Sequence, residues 1–134
     1  MTGQPSNFLK IDMLNHYFRG DKKLYLHLYI SDPTDNDIGT EVTGGNYEPE
    51  EITFAEPTLV QVQVEGESVT KGQIQNDSLI VFNTATDNWQ TISHFGIRDE
   101  DDNLLASAPV PTPKLIEQGD EAKWNVGAIT LRMF

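Results

Sequence analysis

At 134 residues, with a net charge of −12 and a sequence pI near 4.4, the chain has the size of one ordinary domain and can bury a core. Hydrophobic residues at 37% and charged residues at 22% exclude a disordered or membranous chain, and no run approaches the roughly 18 apolar residues of a membrane span. The acidic balance excludes a nucleic-acid binder, which needs clustered Lys and Arg, and the lack of cysteine excludes disulfides and thiolate metal sites.

The N-terminus carries no charged start, apolar core and small-residue cleavage site in succession, so no secretory leader is expected. Residues 6–19, SNFLKIDMLNHYFR, predict the one helix, capped by Ser6 or Asn7 and stopped at Gly20. Phe8, Ile11, Leu14 and Phe18 fall on one face, and Leu9, Met13 and Tyr17 widen it. A stripe this apolar must be buried, across an open end of a sheet or against another subunit.

From residue 24 onward the chain reads as short strands and turns. In residues 24–30 Leu24, Leu26, Leu28 and Ile30 alternate with Tyr25, His27 and Tyr29. Asp32-Pro33 ends that strand, and Gly44-Gly45 supplies backbone freedom for a sharp corner. Further strands are predicted over 52–54, 58–64, 72–75, 78–83, 91–98, 104–108 and 122–134, the last broken at Gly127. Turn chemistry separates them at 76–77, 84–88, 99–103 and 119–120. The VQV alternation of 60–64 predicts one wet face, whereas 79–82, apolar on both faces, is expected to be central or to lie at an interface. Pro109, Pro111 and Pro113 read as a stiff extended spacer crossing between sheets. The expected fold is all-β, an antiparallel β-sandwich of jelly-roll type in a single domain over 1–134, with the helix at 6–19 and strands over 24–134.

The chemistry is sparse. His16, His27 and His94 are not at ligand spacing from one another, and Ser78, Ser93 and Ser107 lack a G-x-S-x-G elbow. There is no phosphate loop and no HExxH, so no catalytic residue, cofactor or metal site is expected and the interface residues stay unassigned. Asp99, Glu100, Asp101 and Asp102 are clustered carboxylates, but the ligand order of an EF-hand is missing and a solvated hairpin tip is expected. Asp32, Asp35 and Asp37 are the acids that would join them if calcium bound across one end of the sandwich. Trp89 and Trp124 are expected in the core; exposed beside Tyr47, they would instead form a stacking platform for sugar rings. Between Lys23 and Lys71 the chain has no Lys or Arg but ten of its 21 acids, a solvated face or one that docks on a basic partner.

The pieces SNFLKIDMLNHYFRG, LYLHLYISDPTDNDIGTEVTGGNY, SLIVFNTATDNWQTISHFGIRD, NLLASA and GAITLRMF follow one another in an order that resembles a family of small bacteriophage virion proteins labelled tail-fibre-like. The likeness runs along nearly the whole chain and departs from the family at 65–71 and at the DEDDN tip. It implies a non-enzymatic virion structural protein, assembled in the host cytoplasm, with no membrane partner. The leading expectation is a capsid decoration or cement protein holding major capsid subunits by non-covalent contacts, as a homo-oligomer or symmetric array. No shaft-like repeat or heptad is present, which weighs against a long fibre. The alternatives are a tail-fibre or baseplate adaptor module bound to tail proteins, and a carbohydrate-binding sandwich.

Overall fold

The computed structural model describes residues 1–133. In chain order the elements are α1 Asn7–Phe18, β1 Leu24–Tyr29, β2 Glu50–Ile52, β3 Thr58–Val64, β4 Glu67–Gln75, β5 Ile80–Val81, β6 Gln90–Asp99, β7 Leu104–Ile116, β8 Lys123–Trp124 and β9 Thr130–Met133. All strand pairs are antiparallel. The chain is therefore all-β with one short N-terminal helix, the class expected of an antiparallel sandwich. Phe134, the end of the last predicted strand, lies outside the described residues. Among the described residues no helix is long and apolar enough to cross a membrane. The chain forms two compact units.

One unit comprises residues 1–22, 53–78 and those from 125 on. Ser6 caps α1, its Oγ accepting from Leu9 N at 3.2 Å. The helix seats on β4 where Gly72 leaves room: a Cβ there would come within 2.9 Å of Leu14 Cδ1. Lys10, Leu14 and Phe18 are buried, a ridge at four-residue spacing. The Lys10 stem covers the sheet while Nζ donates to Thr70 O at 2.8 Å, and Phe18 meets Phe54 edge-on at 5.5 Å. This ridge corrects the predicted stripe. Phe8, two residues before Lys10, sits about 200° around the helix and is 79% exposed; Leu9 and Tyr17 are exposed as well.

The sheet of this unit has the order β3-β4-β9. Glu65 and Gly66, with φ of 53° and 82°, close β3 and β4 with a two-residue turn of primed type. That turn starts β4 at Glu67, five residues before the predicted strand, because pairing with β3 (Val64 opposite Glu67, Leu59 opposite Gly72) recruits the mostly polar residues 67–71. Asn76 ties the unit together. Only 1% exposed, it donates to Ser78 O at 2.9 Å and Asn125 O at 3.0 Å, and its Oδ1 accepts from Ile129 N at 2.9 Å. The predicted break at Gly127 is found, with φ at 78° and Gly127 N donating to Asn76 O.

The other unit comprises residues 23–52 and 79–124. Its main sheet runs β2-β1-β6-β7, and β5 pairs with β8 in a separate two-stranded ladder. Leu24, Leu26 and Leu28 are buried on one face of β1, and His27 and Tyr29 are buried on the other. Beyond the stretch paired with β2, residues 40–42 take over beside β1: Ile30 N donates to Thr40 O at 2.9 Å and Val42 N to Leu28 O at 3.0 Å.

Two expectations are corrected in this unit. Pro109, Pro111 and Pro113 are not an inter-sheet crossing but part of β7, which follows β6 to Ile116. The register slips between Ile92 and His94, where residues 110–113 of β7 bulge, and an edge strand with a bulge accepts residues that lack an N–H. Residues 79–82 are not the centre of a large sheet. Ile80 and Phe82 are buried whereas Leu79 is 53% exposed, the alternation of a strand with one wet face.

Candidate functional site

The corner formed by residues 31–47 is the most elaborately held segment of the chain. Thr34 and Asp37 both have φ of 57°, and the three residues Gly44, Gly45 and Asn46 follow one another at φ of 73°, 58° and 68°. A left-handed run of this kind needs glycine at its tightest point. That point is Gly45, where a Cβ would lie 2.7 Å from Trp89 Nε1. The Gly45 carbonyl accepts from Trp89 Nε1 at 2.8 Å and from Thr86 N at 3.0 Å. Asn83 Nδ2 donates to Asn46 O at 3.1 Å. The GTEVTGGNY and NTATDNW segments thus interlock through backbone carbonyls and one indole N–H.

Behind this lock lies an aromatic cluster. Tyr47 stacks on Phe82 at 6.1 Å and meets Trp89 edge-on at 5.3 Å; Phe82 meets Trp124 edge-on at 5.7 Å. Trp89 is 2% and Trp124 8% exposed, so both are core residues as expected. Trp89 does stand beside Tyr47, but with its ring buried it offers no stacking platform. Lys114 Nζ lies 4.8 Å from the Trp124 ring centre, a cation on the aromatic face.

On the other side of the corner a polar chain fastens the loop to β1. Leu28 N donates to Tyr47 Oη at 2.9 Å, Tyr47 Oη–H donates to Glu41 Oε2 at 2.7 Å, and His27 Nδ1 reaches the same oxygen at 2.7 Å. A carboxylate only accepts, so His27 carries its proton on Nδ1. Burial pushes the Glu41 carboxyl up, but the hydrogen bonds from His27 and Tyr47, with the charges of His27 and Arg98, outweigh it and hold it below the ordinary range. Burial, reinforced by the Glu41 carboxylate, pushes the Tyr47 phenol well above its usual value.

Arg98 closes the end of the corner. It is 8% exposed, forks onto Asp37, donates from Nε to Tyr29 Oη at 2.9 Å and from Nη1 to Asp102 O at 2.9 Å. Burial works against its charge, but the bonds to Asp37 and Tyr29 raise its pKa further still. The two acidic clusters singled out in the sequence are therefore brought to one end, with a guanidinium between Asp37 and Asp102. The Asp99 carboxylate is spent on its own turn, accepting from Asp101 N and Asn103 N at 3.0 and 2.9 Å. Among the described residues no three His, Asp or Glu side chains are placed to hold a metal ion. His94 contacts Ser93 Oγ at 2.8 Å and lies 3.8 Å from Asp32, while His16 is exposed on α1 against Tyr17.

A family model for Podophage GP4 fiber I protein gp80 matches residues 4–132. The chain belongs to that family. No curated protein matches it. The matched stretch includes the interlocked corner, whose Gly45, Tyr47 and Trp89 do architectural work. Glu41 and Arg98 escaped sequence reasoning. Their partners lie 4 to 69 residues away, with no periodicity to announce them.

The Glu41 linkage predicts an acid-sensitive corner. A carboxyl whose folded pKa is depressed contributes stability that is present above its ordinary value of 4.5 and lost as pH falls through the folded value. Thermal melts should therefore drop in Tm below about pH 4.5, and Glu41→Gln should flatten that slope. An unchanged slope in the variant would show that other carboxylates carry the acid response.

Proposed function

We propose that this protein is a non-catalytic module of the phage tail, a fibre component or the adaptor that seats one, which binds neighbouring tail proteins through its surface. The match to a fibre family over residues 4–132 carries this reading. It favours the tail alternative over capsid decoration, although the cohesive chemistry of the two roles is alike. A long shaft is not required of such a module, since a compact domain with its own core can serve as an end or a joint. The placement of the corner's Glu41, Tyr47, Trp89 and Arg98 in internal bonds supports a structural rather than a chemical role. The net charge of −12 argues that its partners are proteins and not nucleic acid.

Immunogold labelling of intact virions tests the assignment. Label at the tail with a copy number in the tens or below is expected, on the order of a few symmetric rings. Label covering the head at hundreds of copies would overturn it in favour of the decoration role.

A further inference from the structure

The two long outer strands of this chain are treated in opposite ways. β7 carries three prolines and a bulge, devices that stop a sheet edge from pairing with another chain. β3, Thr58–Val64, carries none. It holds no proline, no charge and no bulge, and it pairs with β4 in unbroken register over seven residues. Its other edge has no strand partner among the described residues.

The sequence of β3 adds a second observation. Residues 60–64 read VQVQV, the same in both directions about Val62. A two-fold interface pairs residue i with j and j with i, so an antiparallel copy centred on Val62 sets valine opposite valine and glutamine opposite glutamine throughout. The backbone groups fit as well. The two-residue turn makes Val64 and Glu67 a hydrogen-bonded pair, so Val60 and Val62 also turn their N–H and C=O to β4, and Leu59, Gln61 and Gln63 turn theirs outward. Across the axis, Gln61 and Gln63 of one copy would exchange both bonds with Gln63 and Gln61 of the other. Gln61 and Gln63 are exposed and Leu59 is 42% exposed. Charge is compatible with the same strand, because copies at −12 each repel and β3 adds no charge to the contact.

We propose that β3 is a self-association edge, through which two copies of this chain join their β3-β4-β9 sheets into one six-stranded sheet about a two-fold axis at Val62. The inference stands independently of where in the virion the protein resides.

The cysteine-free chain gives a direct test. On the axis, Val62 and its symmetry mate form a non-hydrogen-bonded pair, with Cα atoms about 4.5 Å apart, inside the range a disulfide spans. Full-length Val62→Cys, mildly oxidised, should convert to a disulfide-linked dimer at least tenfold faster than Val126→Cys, although Val126 is exposed and Val62 only partly so. In sedimentation, Val62→Lys and Val62→Asp should each be monomeric yet folded by circular dichroism, and their mixture should recover the dimer. Equal cross-linking of the two cysteine variants, or a mixture that stays monomeric while wild type associates, would overturn the proposal. So would a wild type that is monomeric at all accessible concentrations.

Discussion

Trp89→Ala should lower the unfolding free energy by about 3–5 kcal/mol, the range for truncating a large buried aromatic side chain. Trp89 is 2% exposed, so the lost contacts are not replaced by water on one side, and its indole N–H leaves the Gly45 carbonyl with Thr86 alone. Against a typical total of about 5–15 kcal/mol, urea denaturation should show a variant near the edge of stability. Trp89→Phe keeps most of the ring and should lose only about 1–2 kcal/mol. Gly45→Ala supplies the coupling test. In the wild-type background its Cβ meets the indole nitrogen and its φ of 58° is strained. In the Trp89→Ala background only the backbone strain remains, about 1 kcal/mol, so the two losses should fall short of additive. Strict additivity would mean that the corner and the indole are not in contact in solution.

Asn76→Leu should cost about 3 kcal/mol or more in the other unit. The side chains are similar in volume, but Ser78 O, Asn125 O and Ile129 N each lose a partner, at about 1–3 kcal/mol for each group that water cannot reach. A loss below about 1 kcal/mol in a chemical melt would show that the unit relaxes to admit solvent. Asn76→Asp sharpens the test with a sign. A carboxylate there faces two carbonyl oxygens, so its folded pKa should be raised above the ordinary aspartate value near 3.9. The penalty is then full above the folded pKa and disappears as pH falls toward the unfolded one. The Tm gap between Asn76→Asp and wild type should narrow on acidification, opposite to the trend expected from Glu41.

Much of the strand pattern was legible, for identifiable reasons. β1 and β3 alternate cleanly and end at Asp32-Pro33 and at Glu65-Gly66, so period and turn chemistry agree. The helix was placed to within a residue at each end, yet its buried face was misjudged. The buried face includes Lys10, whose methylene stem packs on the sheet while its Nζ finds a carbonyl, a division of one side chain that hydropathy cannot register. The predicted strand 104–108 stops short of β7 because Pro109, Pro111 and Pro113 read as a spacer, whereas the bulge opposite Ser93 lets the strand run on through them.

The site was less legible than the fold. His27, Glu41 and Tyr47 converge through a corner whose path depends on three successive left-handed residues, and no spacing rule encodes that. The expectation of a decoration protein rests on the resemblance, the compact acidic domain and the lack of a shaft-like repeat, and none of these distinguishes head from tail. The family match, not a residue, shifts the balance.

The guanidinium of Arg98 occupies the position between Asp37 and Asp102 where a divalent ion would otherwise neutralise converging acids. A fixed cation of this kind cannot be stripped by chelators or diluted away. The charge that holds this end belongs to the chain itself, bonded to Asp37 and to the Asp102 carbonyl.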